Sequence, residues 1–233
     1  MKTSFWTDLF DLISPRTCAV CGQRLTADEN TICVACHLHL PLTHMESNAY
    51  DNVMARLFWG VLPVERAAAL FYYEPHSEVA RLIYDLKYHG QADIGTDLGR
   101  MAARQFASSG FFEGIDATVP VPLTRKRKWQ RGYNQSEQIA RGIGQVTGLP
   151  VYTDVVRRKH FNKSQTQNSI WERLENVEEA FLLANGSRIA GKHLLVVDDI
   201  VTTGATIKAC AKELCKAGGV KISILSLGLT KVV

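Results

Sequence analysis

The chain has 233 residues, 46% of them hydrophobic, and a formal net charge of +4. Such a chain can fill one medium α/β core with a small appendage, and it shows neither internal repeats nor low-complexity tracts. No apolar run approaches the ~18 residues that would span a bilayer. No basic start followed by an apolar core opens the sequence, so a soluble cytoplasmic protein is expected, and the mild charge alone says little about nucleic acid.

In chain order, Phe5, Leu9, Leu12 and Ile13 recur at helical spacing and Pro15 ends the pattern. A short amphipathic helix docking on the main domain is expected, since Asp8 and Asp11 stand where a membrane-surface helix would be basic. Cys18-x2-Cys21 and Cys33-x2-Cys36 follow, separated by eleven residues. Each pair can turn two thiolates onto one tetrahedral ion, so the four cysteines predict a closed, structural zinc site, with Gly22 suited to the tight knuckle. Disulfides are the alternative, disfavoured in a reducing compartment. His37, His39 and His44 read as surface residues, because four thiolates already complete the shell.

Leu57, Phe58, Trp59 and Val61 are apolar without a clear period. Residues 1–45 are therefore expected to form the N-terminal helix and four-cysteine module, 46–75 a linker and hood-like packing segment, and 76–233 the main domain. A helix capped by Ser77 carries Val79, Leu82, Ile83 and Leu86 on one face and stops at Gly90. Lys87 near its end reads as a cation opposing the helix dipole. A packing helix should run from about Asp93 to Ala107.

Strands near Ala117–Val121, Val151–Val156, Ala180–Leu183, Leu194–Val197 and Ile222–Leu229 alternate with helices near Asn134–Val146 and from Ile207. That alternation implies βαβ units, hence a mainly parallel sheet flanked by helices. After the first of these strands, Pro122, Leu123 and Thr124 lead into Arg125, Lys126, Arg127, Lys128 and Arg131, five cations in seven residues. A cationic loop at the carboxyl end of a strand can neutralise pyrophosphate, and arginine suits bidentate phosphate contacts. The plainer, less favoured alternative is a solvated basic loop, and Trp129 and Tyr133 among the cations also permit stacking of single-stranded bases. The polar stretch from Arg157 through Gln165 and Arg173 reads as a loop, either a lid over the reacting groups or an arm contacting nucleic acid. Cys210 and Cys215 are five apart on one helix and read as packing thiols.

Leu194-Leu-Val-Val-Asp-Asp-Ile-Val-Thr-Thr-Gly-Ala-Thr206 is a buried strand ending in paired carboxylates and a hydroxyl-rich turn. Thr202, Thr203, Gly204, Ala205 and Thr206 would aim N–H groups and hydroxyls at an anion on the following helix. Asp198 and Asp199 can accept ribose hydroxyls and help hold Mg²⁺. The plainer reading is a strand end and an N-capped turn. The stretch resembles the phosphoribosyl pyrophosphate signature of type I phosphoribosyltransferases, with Ala205 where many of them carry a second glycine.

Over nearly the whole chain the sequence resembles the competence protein F (ComF, GntX-like) family. The resemblance rests on the four cysteines, Pro120-Val-Pro-Leu123, Arg131-Gly-Tyr-Asn-Gln-Ser136, Gln165 with Arg173-x-x-Asn-Val177, Ala180-Phe181 and the 194–206 signature. It implies a zinc-ribbon-like module joined to a type I phosphoribosyltransferase domain, and a cytoplasmic role in handling single-stranded DNA during natural transformation, with competence proteins as partners. It also implies Asp198 and Asp199 at the ribose or Mg²⁺, Thr202–Thr206 at the 5′-phosphate, Pro122–Thr124 at pyrophosphate, and Gln165 and Arg173 in a flexible loop.

Two functional expectations follow. Either the protein binds phosphoribosyl pyrophosphate as a ligand, or it transfers the phosphoribosyl group to a nitrogen nucleophile, with Asp198, Asp199, Arg125 and Arg131 as candidate catalytic residues. No purine, pyrimidine or orotate signature stands out, which favours binding.

Overall fold

The computed structural model describes residues 15–88, 90–159 and 180–230. The helix expected at Phe5–Ile13 and the loop residues Gln165 and Arg173 lie outside the described residues. Four strands form a parallel sheet in the order β1 (Val64–Tyr73), β6 (Lys221–Thr230), β5 (His193–Val201), β2 (Ala117–Pro120). Leu194 to Val197 are fully buried, as are Ile222 and Ile224 beside them, which is why both central strands read as continuous apolar runs. The register pairs Pro120 with Val197 and Val197 with Leu225, bringing the carboxyl ends of β2 and β5 to one edge.

Helices α3 (Glu78–Tyr88), α4 (Ala92–Ala107), α6 (Gln135–Thr147) and α7 (Ala205–Cys215) flank the sheet. Ser77 caps α3 by accepting the Ala80 N–H at 3.1 Å, and Gly90, at φ +69°, turns the chain away. Helices α4 and α6 meet backbone to backbone: a Cβ on Gly99 would lie 2.2 Å from the Ile139 carbonyl oxygen, and one on Gly142 2.0 Å from that of Thr96. Short α1 (Val34–His39), α2 (Val53–Arg56) and α5 (Arg125–Arg131) complete the helices named here. Among the described residues no helix is long and apolar enough to cross a membrane.

Three expectations are corrected. The segment read as a linker and hood, 46–75, contains the ten-residue strand β1, hydrogen-bonded along its length to β6. Its Ala67, Ala68 and Ala69 are buried on both faces, and an alanine run carries neither strand nor helix periodicity. Its buried Arg66 offsets part of its desolvation cost by donating from both terminal nitrogens to the carbonyls of Gly110, Phe111 and Glu113 at 2.5–2.8 Å, while its Nε is left without a hydrogen-bond partner. Second, Val151–Val156 is not a strand of the main sheet beyond one parallel bridge from Val151 to Thr118. Asp154 bends the chain by accepting from Asn185 and Arg188, and β3 (Val156–Arg158) then pairs antiparallel with β4 (Phe181–Leu183). Third, the basic segment after Thr124 is helical, forming α5 rather than a loop.

The N-terminal module is fastened to the outer edge of the sheet. The Thr43 N–H donates to the Leu70 carbonyl at 3.0 Å and that of Tyr72 to Pro41 at 2.9 Å, covering part of β1's free edge. Arg81 on α3 reaches the Val20 carbonyl at 3.1 Å, and Thr31 donates to Asp97 on α4.

Candidate functional site

In the N-terminal module the sulfurs of Cys18, Cys21, Cys33 and Cys36 all lie within 4.8 Å of one another. Cys21 and Cys33 are 3.8 Å apart, matching the edge of a tetrahedron with Zn–S bonds of about 2.3 Å. Backbone N–H groups point at the sulfurs: Cys33 N–H to Cys18 at 3.3 Å and Cys36 N–H to Cys33 at 3.4 Å. Gly22 takes φ +75° at the first knuckle, where its N–H returns to the Cys18 carbonyl. Burial pushes the Cys18 thiol up, but N–H donors from Cys21, Cys33 and Val20 outweigh it and bring the group down to about 7. The four sulfurs can hold one metal ion. His37, His39 and His44 are exposed and are not among the four clustered ligands, although His39 lines a cavity with Cys21, Cys33 and Cys36.

At the carboxyl edge of the sheet, Asp198 Oδ1 accepts the Ser136 hydroxyl at 3.0 Å and the Asp199 N–H at 2.9 Å. Asp199 Oδ1 accepts the Ile200 N–H at 2.7 Å, and its Oδ2 lies 3.0 Å from Lys87 Nζ. Burial, then the adjacent Asp199 charge, push Asp198 up to about 7 against these donors and Lys87. Lys87 is therefore a member of the site, not a lysine merely opposing a dipole. Sequence could not reveal this, because the contact joins residues far apart in the chain.

Beyond the carboxylates, Thr202 and Thr203 are exposed, and Gly204 holds φ +73° at the head of α7. A Cβ on Gly204 would approach the Phe58 ring at 2.9 Å, so glycine is required by backbone and by space. A cavity of about 50 Å³ is enclosed by Asp198, Thr202, Thr203, Gly204, Ala205 and Thr206. Ala205 is only partly exposed and opens α7, whose first residues, Ala205, Thr206 and Ile207, line this cavity.

The basic segment borders the same edge. Thr124 Oγ1 accepts the Arg127 N–H at 3.3 Å and nucleates α5, which Gly132 ends at φ +79°. A second cavity, about 530 Å³, lies between Pro122, Leu123, Arg125 and Lys128 on one side and Arg157 and Arg158 on the other. Burial and the Arg127 charge lower the Arg158 pKa while Asp198 opposes them, so cationic and anionic parts are electrostatically coupled. Arg157 and Arg158 belong to β3, not to a loop. Arg131 lies apart from this cavity's lining, with its guanidinium 5.3 Å from the Tyr88 ring centre.

The phosphoribosyl transferase domain family matches residues 129–227, a span that holds Asp198, Asp199 and the threonine turn. Competence protein F of Haemophilus influenzae (strain ATCC 51907 / DSM 11121 / KW20 / Rd) is 30% identical over 160 residues, covering 67% of this chain and 69% of that protein. The chain belongs to the competence protein F (ComF) family. This ComF protein is also similar to DNA utilization protein YhgH of Escherichia coli (strain K12), 28% identical over 213 residues, covering 90% of this chain and 88% of the relative. Competence protein ComFC of Streptococcus pneumoniae (strain ATCC BAA-255 / R6) is 36% identical over 109 residues, 47% of this chain and 46% of the relative. The parallel sheet flanked by helices is thus that of a phosphoribosyltransferase-type domain, and the four-cysteine cluster precedes it.

Proposed function

We propose that this ComF protein binds phosphoribosyl pyrophosphate together with Mg²⁺ at the carboxyl edge of the sheet, as part of DNA utilization. The observation that carries this reading is the adjacency of three parts: a carboxylate pair, a small threonine-lined cavity and a cationic cavity. Asp198 and Asp199 would accept the ribose hydroxyls and meet Mg²⁺ directly or through water. Thr202 to Thr206 would donate to the 5′-phosphate, and Pro122 to Arg125, with Arg158, would face pyrophosphate. Gln165 and Arg173 are proposed to approach the same ligand. When bound, Mg²⁺ would neutralise charge on the pyrophosphate oxygens. Lys87, 3.0 Å from Asp199 Oδ2, would orient that carboxylate where the ligand arrives.

The four-cysteine cluster is proposed to hold a structural zinc ion, since four thiolates close a tetrahedral shell and leave no open position. The names of the relatives support a role in DNA utilization and competence, and the exposed cations of α5 support contact with a single strand; a cytoplasmic setting with competence proteins as partners is part of the same proposal. A second reading, active transfer to a nitrogen nucleophile with release of pyrophosphate, is favoured by the cationic cavity, whose Arg158 interacts with the Asp198 charge. There Arg125 would stabilise the leaving charge, whereas Arg131, proposed with it as catalytic, lies over the Tyr88 ring and would have to leave that ring to take part.

Phosphoribosyl pyrophosphate with Mg²⁺ should raise the melting temperature of the wild type, and Asp198→Asn with Asp199→Asn should abolish the rise. An unchanged rise in the double variant would sink the assignment. Pyrophosphate release with any nucleobase would move the protein to the transferase reading.

A further inference from the structure

The hydrogen bonds to Asp198 and Asp199 fall on particular oxygens and give the two carboxylates different positions. Asp198 takes both of its donors, the Ser136 hydroxyl and the Asp199 N–H, on Oδ1. Its Oδ2 has no hydrogen-bond partner among the described residues, and Asp198 lines the threonine-turn cavity. Asp199 is engaged at both oxygens: Oδ1 accepts the Ile200 N–H at 2.7 Å and Oδ2 meets Lys87 Nζ at 3.0 Å.

Lys87 thus stands where a cation would be drawn. Two adjacent carboxylates offer the hard oxygen donors that suit Mg²⁺, and here the positive charge beside one of them already belongs to the chain. The pair is largely withdrawn from water, with side chains 21% and 15% exposed, so salt screens it less than a surface pair. The plainer reading is a salt bridge that ties α3 to the sheet. Two features of its position favour more than a tie. It lies at the carboxyl edge of a parallel sheet, where ligands of such sheets bind. Lys87 also lines a cavity of about 590 Å³ with Tyr73, His76 and Ile200, which gives the ammonium room to leave Asp199.

To bind free Mg²⁺, Asp199 would have to give up Lys87 and leave a largely buried ammonium without a partner, which is costly. With a pyrophosphate-bearing ligand present, the displaced ammonium can meet phosphate oxygens instead. The lysine therefore opposes the metal alone and not the metal together with its ligand.

We propose that Lys87 is a built-in counter-ion that excludes free divalent metal from Asp199 and yields to metal carried by an anionic ligand. This deepens the sugar-phosphate reading above and rests on it for the identity of that ligand. Linkage is reciprocal, so ligand and metal tighten each other by the same factor.

The test is titration of the full chain with Mn²⁺, a substitute for Mg²⁺ that favours the same oxygen donors, read by electron paramagnetic resonance. With no other ligand present, Lys87→Met should bind Mn²⁺ at least about tenfold more tightly than wild type, a factor within the range usual for coupled sites. Lys87→Arg, which keeps the charge, should stay at the wild-type affinity. Adding Asp199→Asn to Lys87→Met should remove the gain. Circular dichroism checks that each variant is folded, and Lys87→Gln supplies a second neutral side chain should the methionine variant unfold. Equal Mn²⁺ affinity in wild type and a folded neutral variant would overturn the exclusion and leave the pair as a tie between α3 and the sheet. A gain that survives Asp199→Asn would overturn it too, by placing the metal elsewhere. Melting shifts of the wild type with phosphoribosyl pyrophosphate and Mg²⁺ separate the two proposals. A clear shift without the Mn²⁺ gain defeats the exclusion alone, whereas the Mn²⁺ gain without a shift defeats the sugar-phosphate reading alone.

Discussion

Asp198 concentrates the chemistry of the site in one group. Its carboxyl is raised from 3.8 to about 7, chiefly by burial and then by Asp199. A carboxyl whose folded value is raised binds its proton more tightly in the native state, so its contribution is fully present below the unfolded value. It is lost as pH climbs towards 7. Asp198→Asn should therefore gain stability relative to wild type as pH rises from about 4 to 7, with the gain level above that. Denaturant titrations at the two ends of this range measure it, and an equal difference at both ends would contradict the ionisation assigned here. The pair was legible in sequence because strand, carboxylates and turn are contiguous. Lys87 was not, since only the fold brings the end of α3 to Asp199.

At the scale of elements, the helices that position the site depend on glycine contacts. Gly99→Ala would drive a methyl group into the Ile139 carbonyl, forcing α4 and α6 apart. Thermal or denaturant unfolding should show a loss of about 1–3 kcal/mol or more, and wild-type stability would contradict the packing described. Central strands β5 and β6 were legible as apolar runs, and α3, α4 and α6 as amphipathic stripes with caps. Strand β1 was not, because Ala67, Ala68 and Ala69 are buried yet carry no pattern. Helix α5 was obscured by its charge: the cations suggest a solvated loop, while the Thr124 cap and Gly132 stop specify one short helix.

For the whole molecule, the cysteine module acts as a clasp on the sheet. Pro41 and Thr43 cover β1, Val20 receives Arg81 and Thr31 reaches Asp97, so the module touches both α3 and α4. Ligand spacing alone announced the cluster, but these distant attachments have no local signature. Purified protein should contain about one zinc per chain. Its removal by a chelator should lower the melting temperature by at least about 2 °C, the smallest shift expected in a chain of this size for a loss of about one to two kcal/mol. Unaltered melting after verified metal loss would contradict the clasp.

Asp198 lines the threonine-turn cavity, and Lys87 ties its neighbour Asp199 to the end of α3. The most direct measurement is a crystal structure of the protein with phosphoribosyl pyrophosphate and Mg²⁺. The account predicts the 5′-phosphate on Thr202 to Thr206, ribose hydroxyls at Asp198 and Asp199, and pyrophosphate towards Pro122 and Arg125. A sugar phosphate bound elsewhere, with Asp199 still paired only to Lys87, would contradict it.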